Sequence, residues 1–133
     1  MKRILVVEDD PLLIKTFRKL LQEEGYEVAV AASGFEALRV AEEQTFDLTI
    51  CDLRMPSMDG FETIRQTREI YRKKGLAHPP ELLISGYPYQ DEAALKGLSP
   101  AAFLEKPFGV EELLKEVRRI LFEPNPALLN FEG

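Results

Sequence analysis

The 133-residue sequence contains a single cysteine, Cys51, and a single histidine, His78. One cysteine excludes an internal disulfide and favours a reducing compartment. One histidine leaves no basis for a zinc cluster. The apolar run after Arg3 is too short for a signal peptide, and no stretch is long enough to span a membrane. We therefore expect a cytoplasmic protein that does not contact a membrane.

A basic excess is also missing, because 17 lysines and arginines stand against 23 aspartates and glutamates. The net charge of −6 and the pI of about 4.9 argue against nucleic-acid binding, which needs a clustered basic stripe. The hydrophobic fraction of 45% is that of a globular protein. We expect one domain over residues 1–122. The tail at 123–133 is expected to be a linker stub, a cloning remnant or a packed arm.

Strand and helix patterns alternate five times along the chain. Short apolar runs are typical of buried strands, and amphipathic segments with capping residues at their starts are typical of helices. The predicted strands lie at about 3–8, 27–31, 47–52, 81–85 and 102–105, and the helices begin near 11, 34, 60, 90 and 110. This alternation predicts an α/β fold with a parallel sheet covered by helices on both faces.

Polar residues follow or end four of these strands. They are Glu8 and Asp9, Asp52, Ser85, and Lys106. The flavodoxin-like strand order 2-1-3-4-5 would bring all of them to one switch point at the carboxyl edge of the sheet. We therefore predict a doubly wound, five-stranded parallel sheet of this order in a three-layer α/β/α arrangement.

Such a set of side chains suits a divalent cation and a phosphoryl group. Three converging carboxylates repel one another, and a hard cation relieves the repulsion. Mg²⁺ is the expected cofactor because it takes oxygen ligands and is commonly held by one or two carboxylates together with phosphate oxygens. An aspartate can also attack phosphorus to form an aspartyl phosphate, with Lys106 and Ser85 available to stabilise the phosphoryl oxygens.

Four separated segments carry these residues. They are Glu8-Asp9-Asp10-Pro11, Asp52-Leu53-Arg54-Met55-Pro56-Ser57-Met58-Asp59-Gly60, Ile84-Ser85-Gly86-Tyr87 and Phe103-Leu104-Glu105-Lys106-Pro107-Phe108. In this order they resemble the receiver domain of bacterial two-component response regulators, of the chemotaxis-type single-domain kind or of the hybrid-kinase kind. The resemblance covers about Lys2 to Phe122.

The resemblance implies roles for the acidic residues. Asp52 is expected to be the phosphoacceptor. Asp9 is expected to bind magnesium directly and Glu8 through water, with the backbone carbonyl of Arg54 as a further ligand. Glu8 stands where aspartate is more frequent, which puts the metal geometry in question but not metal binding.

The resemblance also implies a switch. Lys106 is expected to pair with the phosphate, and the Lys106-Pro107 bond to be cis. Ser85 is expected to move to the phosphate while Phe103 turns inward, which changes the surface around the fourth helix, fifth strand and fifth helix. Arg54 and Tyr87 either tune the lifetime of the adduct or are plain surface residues.

We therefore expect a signalling module, not an enzyme acting on a substrate, although it promotes its own phosphorylation and dephosphorylation at Asp52. The donor would be the phosphohistidine of a sensor histidine kinase or a histidine phosphotransfer protein, and phosphorylation could produce a homodimer. Leu12 and Ile14 widen the apolar stripe of the first helix beyond what a core face needs. They form either a docking face for such a partner, which we favour, or a wide core stripe.

Three rival functions are less well supported by the residues. A phosphorylation-independent, partner-binding pseudo-receiver is the main alternative. A haloacid-dehalogenase-type phosphatase needs an aspartate where this chain has Arg54. A flavin-binding electron carrier needs a phosphate loop after the first strand, and Glu8 and Asp9 have the wrong charge for it.

Overall fold

The computed structural model of the protein describes residues 1–86 and 92–122, with only the backbone given for Glu92. Strands and helices alternate strictly. The strands are β1 (Arg3–Val7), β2 (Glu27–Ala31), β3 (Leu48–Asp52), β4 (Glu81–Gly86) and β5 (Ala102–Lys106), and the helices are α1 (Pro11–Glu23), α2 (Gly34–Glu43), α3 (Gly60–Lys73), α4 (Glu92–Leu98) and α5 (Val110–Phe122). All strand pairs are parallel, in the order β2-β1-β3-β4-β5. The predicted fold class is confirmed.

The ends of the elements differ from the prediction by a residue or two. Strand β1 ends at Val7 and not at Glu8, although the Glu8 amide still donates to the Ala31 carbonyl at 3.1 Å. Strand β5 continues one residue further than predicted, to Lys106. Helix α4 runs to Leu98 and not to Lys96. The start predicted for α4, at Gln90, lies outside the described residues.

Side-chain oxygens cap the first three helices. Asp10 accepts a hydrogen bond from the Leu12 amide at 2.9 Å, as predicted for the start of α1. Ser33 accepts from the Glu36 amide at 3.1 Å at the start of α2. Asp59 caps α3 in the same way. These caps satisfy amides that a helix leaves without internal partners, and so fix where each helix begins next to the sheet.

The sheet separates two hydrophobic clusters. Ile4 and Val6 of β1 face a cluster that includes side chains from α1 and α5. Leu5 and Val7, the alternate residues of the same strand, face a cluster that includes side chains from α2, α3 and α4. Alternate residues of a strand point to opposite faces, so the apolar run of β1 fills both cores. No helix within the described residues is long and apolar enough to cross a membrane.

Candidate functional site

The carboxyl ends of β1, β3 and β5 bring the predicted polar residues into one crevice. Val7 is in register with Cys51, so Glu8 follows β1 at the level of Asp52 in the neighbouring strand. On the other side, β3 pairs with β4 and β4 with β5, whose last residue is Lys106. The parallel register alone therefore places the acids and the lysine at one edge of the sheet.

Glu8, Asp9 and Asp52 form an acidic cluster in this crevice. Each offers a carboxylate oxygen, and these oxygens all lie within 4.8 Å of one another. Glu8 and Asp52 are only 2% and 4% exposed, whereas Asp9 is exposed. Two buried carboxylates and one open to solvent can hold a cation while leaving room for water or another oxygen ligand.

The surroundings of the Glu8 side chain indicate whether a cation fits the acidic cluster. Its Oε2 atom is buried and has no hydrogen-bond partner in the described part of the chain. Burial, followed by the neighbouring Asp52 carboxylate, raises the pKa of Glu8 to about 8. A buried acid without enough compensating donors favours its proton until a cation displaces it. An all-oxygen donor set with an unsatisfied buried oxygen therefore fits a hard divalent ion such as Mg²⁺.

Lys106 places a positive charge next to the two buried acids. Its Nζ atom lies 2.7 Å from Asp52 Oδ2 and 3.3 Å from Glu8 Oε1. Burial alone would lower the pKa of Lys106, but the Asp52 and Glu8 carboxylates outweigh it and leave the pKa raised. The ammonium group therefore stays charged and is shared between the two acids. The Lys106-Pro107 peptide bond is cis.

The loop after β3 holds Asp52 from its other side. The Arg54 amide donates to Asp52 Oδ1 at 2.8 Å, so each oxygen of the carboxylate accepts a hydrogen bond from a described residue. The Leu53 amide donates to the Ile84 carbonyl at 2.8 Å and extends the β3–β4 pairing past Asp52. The main chain therefore fixes the direction of the Asp52 side chain. Coordination by the Arg54 carbonyl stays a prediction.

Gly60, at the start of α3, packs directly on this part of the chain. A Cβ atom at this position would lie 2.4 Å from the Asp52 carbonyl oxygen and 2.6 Å from the Leu53 Cα. Both contacts are with backbone, so only glycine allows α3 to begin this close to the end of β3. The sequence motif includes Gly60 but gave no reason for it, and the Asp59 cap of the same helix start was also missed. An aspartate–glycine pair before a helical pattern was the available signal.

The two predicted switch residues lie beside the crevice. Ser85 is fully buried, and its Oγ atom has no hydrogen-bond partner among residues 1–86 and 92–122. Phe103 is partly buried and packs against the cluster on the α2–α4 side of the sheet. Their roles in switching remain predictions. Tyr87 lies outside the described residues, and the Arg54 side chain is exposed.

The sheet order, the acidic cluster and the paired lysine together match the arrangement expected of a receiver domain. Comparison with known families agrees. The sequence model of the family "Response regulator receiver domain" matches residues 4–118, so the chain belongs to this family. It is therefore a receiver domain of two-component phosphorelay signalling, and the resemblance inferred from the four motifs is confirmed.

Individual relatives carry this domain in different settings. The chain is 32% identical over 122 residues to hybrid signal transduction histidine kinase B of Dictyostelium discoideum, covering 85% of this chain but 6% of that protein. It is 29% identical over 121 residues to the polar-differentiation response regulator DivK of Brucella ovis, covering 90% of this chain and 96% of that protein. The chain thus spans nearly all of some relatives and a small part of others.

Solved receiver structures have the same fold. The chemotaxis protein CheY4 of Vibrio cholerae superposes with a TM-score of 0.81 at 34% identity, covering 91% of this chain and 99% of that one. The receiver domain of sensor histidine kinase PA1611 from Pseudomonas aeruginosa superposes with a TM-score of 0.77 at 29% identity, covering 90% and 97%. That second structure has a magnesium ion coordinated in its active-site cleft.

Proposed function

We propose that this receiver domain accepts a phosphoryl group on Asp52 from a phosphohistidine of a partner protein, in a magnesium-dependent reaction, and thereby changes a partner-binding surface. One observation carries the proposal: the Lys106 ammonium lies 2.7 Å from Asp52, within a cluster of three acids. A nucleophilic carboxylate, a fixed cation and a place for a second cation are the components that phosphoryl transfer requires.

In the proposed reaction, one carboxylate oxygen of Asp52 attacks phosphorus. The phosphorus–nitrogen bond of the phosphohistidine breaks, and its electron pair returns to the imidazole of the partner. Lys106 stays protonated and turns from the carboxylate to a phosphoryl oxygen, where it offsets negative charge. The Ser85 hydroxyl, which is buried without a partner in the described region, donates to another phosphoryl oxygen.

Mg²⁺ would be held by Glu8, Asp9 and Asp52, together with the Arg54 carbonyl, and would neutralise charge on the acceptor and the phosphoryl group. The presence of magnesium in the PA1611 receiver supports this assignment. The unsatisfied Oε2 atom of Glu8 supports it independently, because the described chain offers that buried oxygen no donor.

The phosphohistidine must come from a partner, a sensor histidine kinase or a histidine phosphotransfer protein. His78 is the only histidine of the sequence, and its Nδ1 atom lies 2.9 Å from the Pro79 carbonyl and 3.3 Å from Glu81. Glu81 begins β4, so His78 lies at the opposite edge of the sheet from Asp52.

We further propose that the protein acts in the cytoplasm and that phosphorylation promotes a homodimer. Light scattering with and without beryllofluoride would test the dimer.

The deciding experiment measures intact-protein mass after incubation with acetyl phosphate, with and without Mg²⁺. We expect one added phosphoryl group that requires Mg²⁺ and is lost in the Asp52→Asn variant. A matched control is Asp59→Asn, which changes a nearby acid that caps α3 and preserves a side-chain oxygen for the cap. Full phosphate incorporation by Asp52→Asn would refute the assignment of Asp52.

The pseudo-receiver alternative makes a different prediction. It expects no adduct with acetyl phosphate and no stable complex with beryllofluoride, although the protein still binds its partner. Formation of a magnesium-dependent beryllofluoride complex would exclude this alternative even if the natural adduct hydrolyses too quickly to be weighed.

A further inference from the structure

The loop between β3 and α3 carries the two groups of Arg54 that the site is expected to use. The Arg54 amide donates to Asp52 Oδ1 at 2.8 Å, and the Arg54 carbonyl is the proposed magnesium ligand. The base of the loop is closed by the Gly60 amide, which donates to the Leu53 carbonyl at 3.0 Å. The position of Arg54 therefore depends on how the rest of this loop, residues 55–59, is held.

The tip of the loop is a tight turn in an unfavourable conformation. The Met58 amide donates to the Pro56 carbonyl at 2.9 Å, across Ser57. Ser57 has a φ of 70°, in the left-handed region that residues other than glycine adopt at a cost. A residue stays in such a conformation only where its surroundings impose it. Ser57 itself is exposed, so the restraint comes from its neighbours in the chain.

Met58 is the neighbour of Ser57 that is buried. It is only 8% exposed, and its side chain lies against Gly34, the first residue of α2. A Cβ atom at Gly34 would lie 2.9 Å from Met58 Sδ and 3.0 Å from Met58 Cβ. Met58 therefore occupies the space in which a side chain at position 34 would begin, and glycine is the residue that leaves this space open.

Thr63 of α3 borders the same space. Its Oγ1 atom would lie even closer than Met58 to a Cβ at Gly34, and it donates to the Asp59 carbonyl at 2.8 Å. Thr63 is fully buried. Met58 and Thr63 together fill the space beside Gly34, and so attach the tip of the loop to α2 and its last residue to α3. The Met58 contact fixes the loop against a neighbouring helix only four residues after Arg54.

We propose that Met58 is a positioning residue for the phosphorylation site. By packing on Gly34, it holds the turn at Ser57 in its strained form, and through the loop it keeps the amide and carbonyl of Arg54 beside Asp52. Groups that orient a metal ligand without touching the metal commonly change metal affinity by about 10- to 100-fold. The inference rests on the function proposed for Asp52, and it gives α2 a part in the site although that helix supplies no residue to the crevice.

Hydrogen exchange at the Arg54 amide, measured by NMR on metal-free protein, tests this role without phosphate. The amide of Val6, in the buried part of β1, serves as the reference for global unfolding. Met58→Ala should lose the protection of its Arg54 amide relative to that reference. Met58→Leu, which keeps the buried volume, should retain the protection. If Met58→Ala does not fold, Met58→Val makes the same comparison with a smaller loss of volume.

Leu121→Ala is the matched control for a general loss of packing. Leu121 is a half-buried residue near the end of α5, and it packs on the opposite face of the sheet from α2 and α3. This variant should lower the Tm but leave the relative protection of the Arg54 amide unchanged.

Titration with Mg²⁺, followed by NMR shifts, measures the consequence for the proposed metal site. The affinity of Met58→Ala should fall about tenfold, with recovery in Met58→Leu and no change in Leu121→Ala. Arg54 protection that is unchanged in Met58→Ala, or that is lost equally in Leu121→Ala, would overturn the proposal. Lost protection with unchanged Mg²⁺ affinity would overturn it as well. If the wild type binds no Mg²⁺, the function proposed for Asp52 fails instead, and the exchange measurement still decides whether Met58 positions Arg54.

Discussion

Replacing Gly60 by alanine should destabilise the protein, although the same change in a helix usually stabilises. Gly60 is the first residue of α3, where adding a methyl group normally contributes about 0.5–1 kcal/mol. Here the added Cβ would lie 2.4 Å from the Asp52 carbonyl oxygen and 2.6 Å from the Leu53 Cα, so the backbone of α3 or of the β3 end must move. Such overpacking costs about 1–3 kcal/mol, or occasionally more.

The strain exceeds the helical gain, and we expect a net destabilisation of about 2 kcal/mol. For a domain of this size, that corresponds to a fall in Tm of roughly 5–10 °C. Because the strain falls on Asp52, the residue that we propose as the phosphoacceptor, phosphorylation by acetyl phosphate should slow as well. Urea unfolding followed by circular dichroism gives the free energy of unfolding, and intact mass over time gives the rate.

Gly97→Ala is the matched control. Gly97 lies in α4, and no described atom would come within 4 Å of its added Cβ. This variant should therefore be more stable than the wild type by about 0.5–1 kcal/mol. If Gly60→Ala proved as stable as Gly97→Ala, the close approach of α3 to the end of β3 would be refuted as the reason for the glycine.

Three more changes probe the charged groups. Arg68→Met leaves the buried Glu81 carboxylate without its bidentate partner and should lower the free energy of unfolding in urea by about 3 kcal/mol. If the double variant Arg68→Met/Glu81→Leu recovers most of that stability, the unpaired charge is the cause. No recovery would contradict this explanation. The raised pKa of Glu8 means that its stabilising contribution is complete below pH 4.5 and is lost as pH rises to about 8. Glu8→Gln should therefore flatten the fall in metal-free stability over that range, and an unchanged pH profile would refute the burial argument. Lys106→Ala should still allow an adduct on Asp52 but should abolish the accompanying NMR shift changes in α4 and β5. Shift changes equal to those of the wild type would show that Lys106 does not couple phosphorylation to the change at this surface.

The sequence predicted the sheet and the crevice because both follow from alternation along the chain. Apolar runs set the strands, and the residue after each run must emerge at the carboxyl edge, which locates Glu8, Asp52 and Lys106 without any tertiary information. Leu12 and Ile14 were open to two interpretations, a docking face or a wide core stripe; Leu12 is exposed and Ile14 is half-buried.

Contacts between distant segments could not be predicted in this way. Arg68 donates to both Glu81 and the carbonyl of Leu98, and so joins α3, β4 and the end of α4. The Tyr71 hydroxyl accepts a hydrogen bond from the Phe46 amide across 25 positions. These pairs depend on the rotation and depth of each helix against the sheet, which side-chain packing decides and hydrophobic periodicity does not.

The alternation within β1 has a consequence for how this protein tolerates change. The same two-residue period that divides Ile4 and Val6 from Leu5 and Val7 continues into the next two residues, leaving Glu8 buried and Asp9 exposed. Inserting or deleting one residue in β1 would move each following side chain of the strand to the opposite face of the sheet, and would change the directions of Glu8 and Asp9 as well. The number of residues in β1 therefore sets where Glu8 and Asp9, the proposed magnesium ligands, leave the sheet.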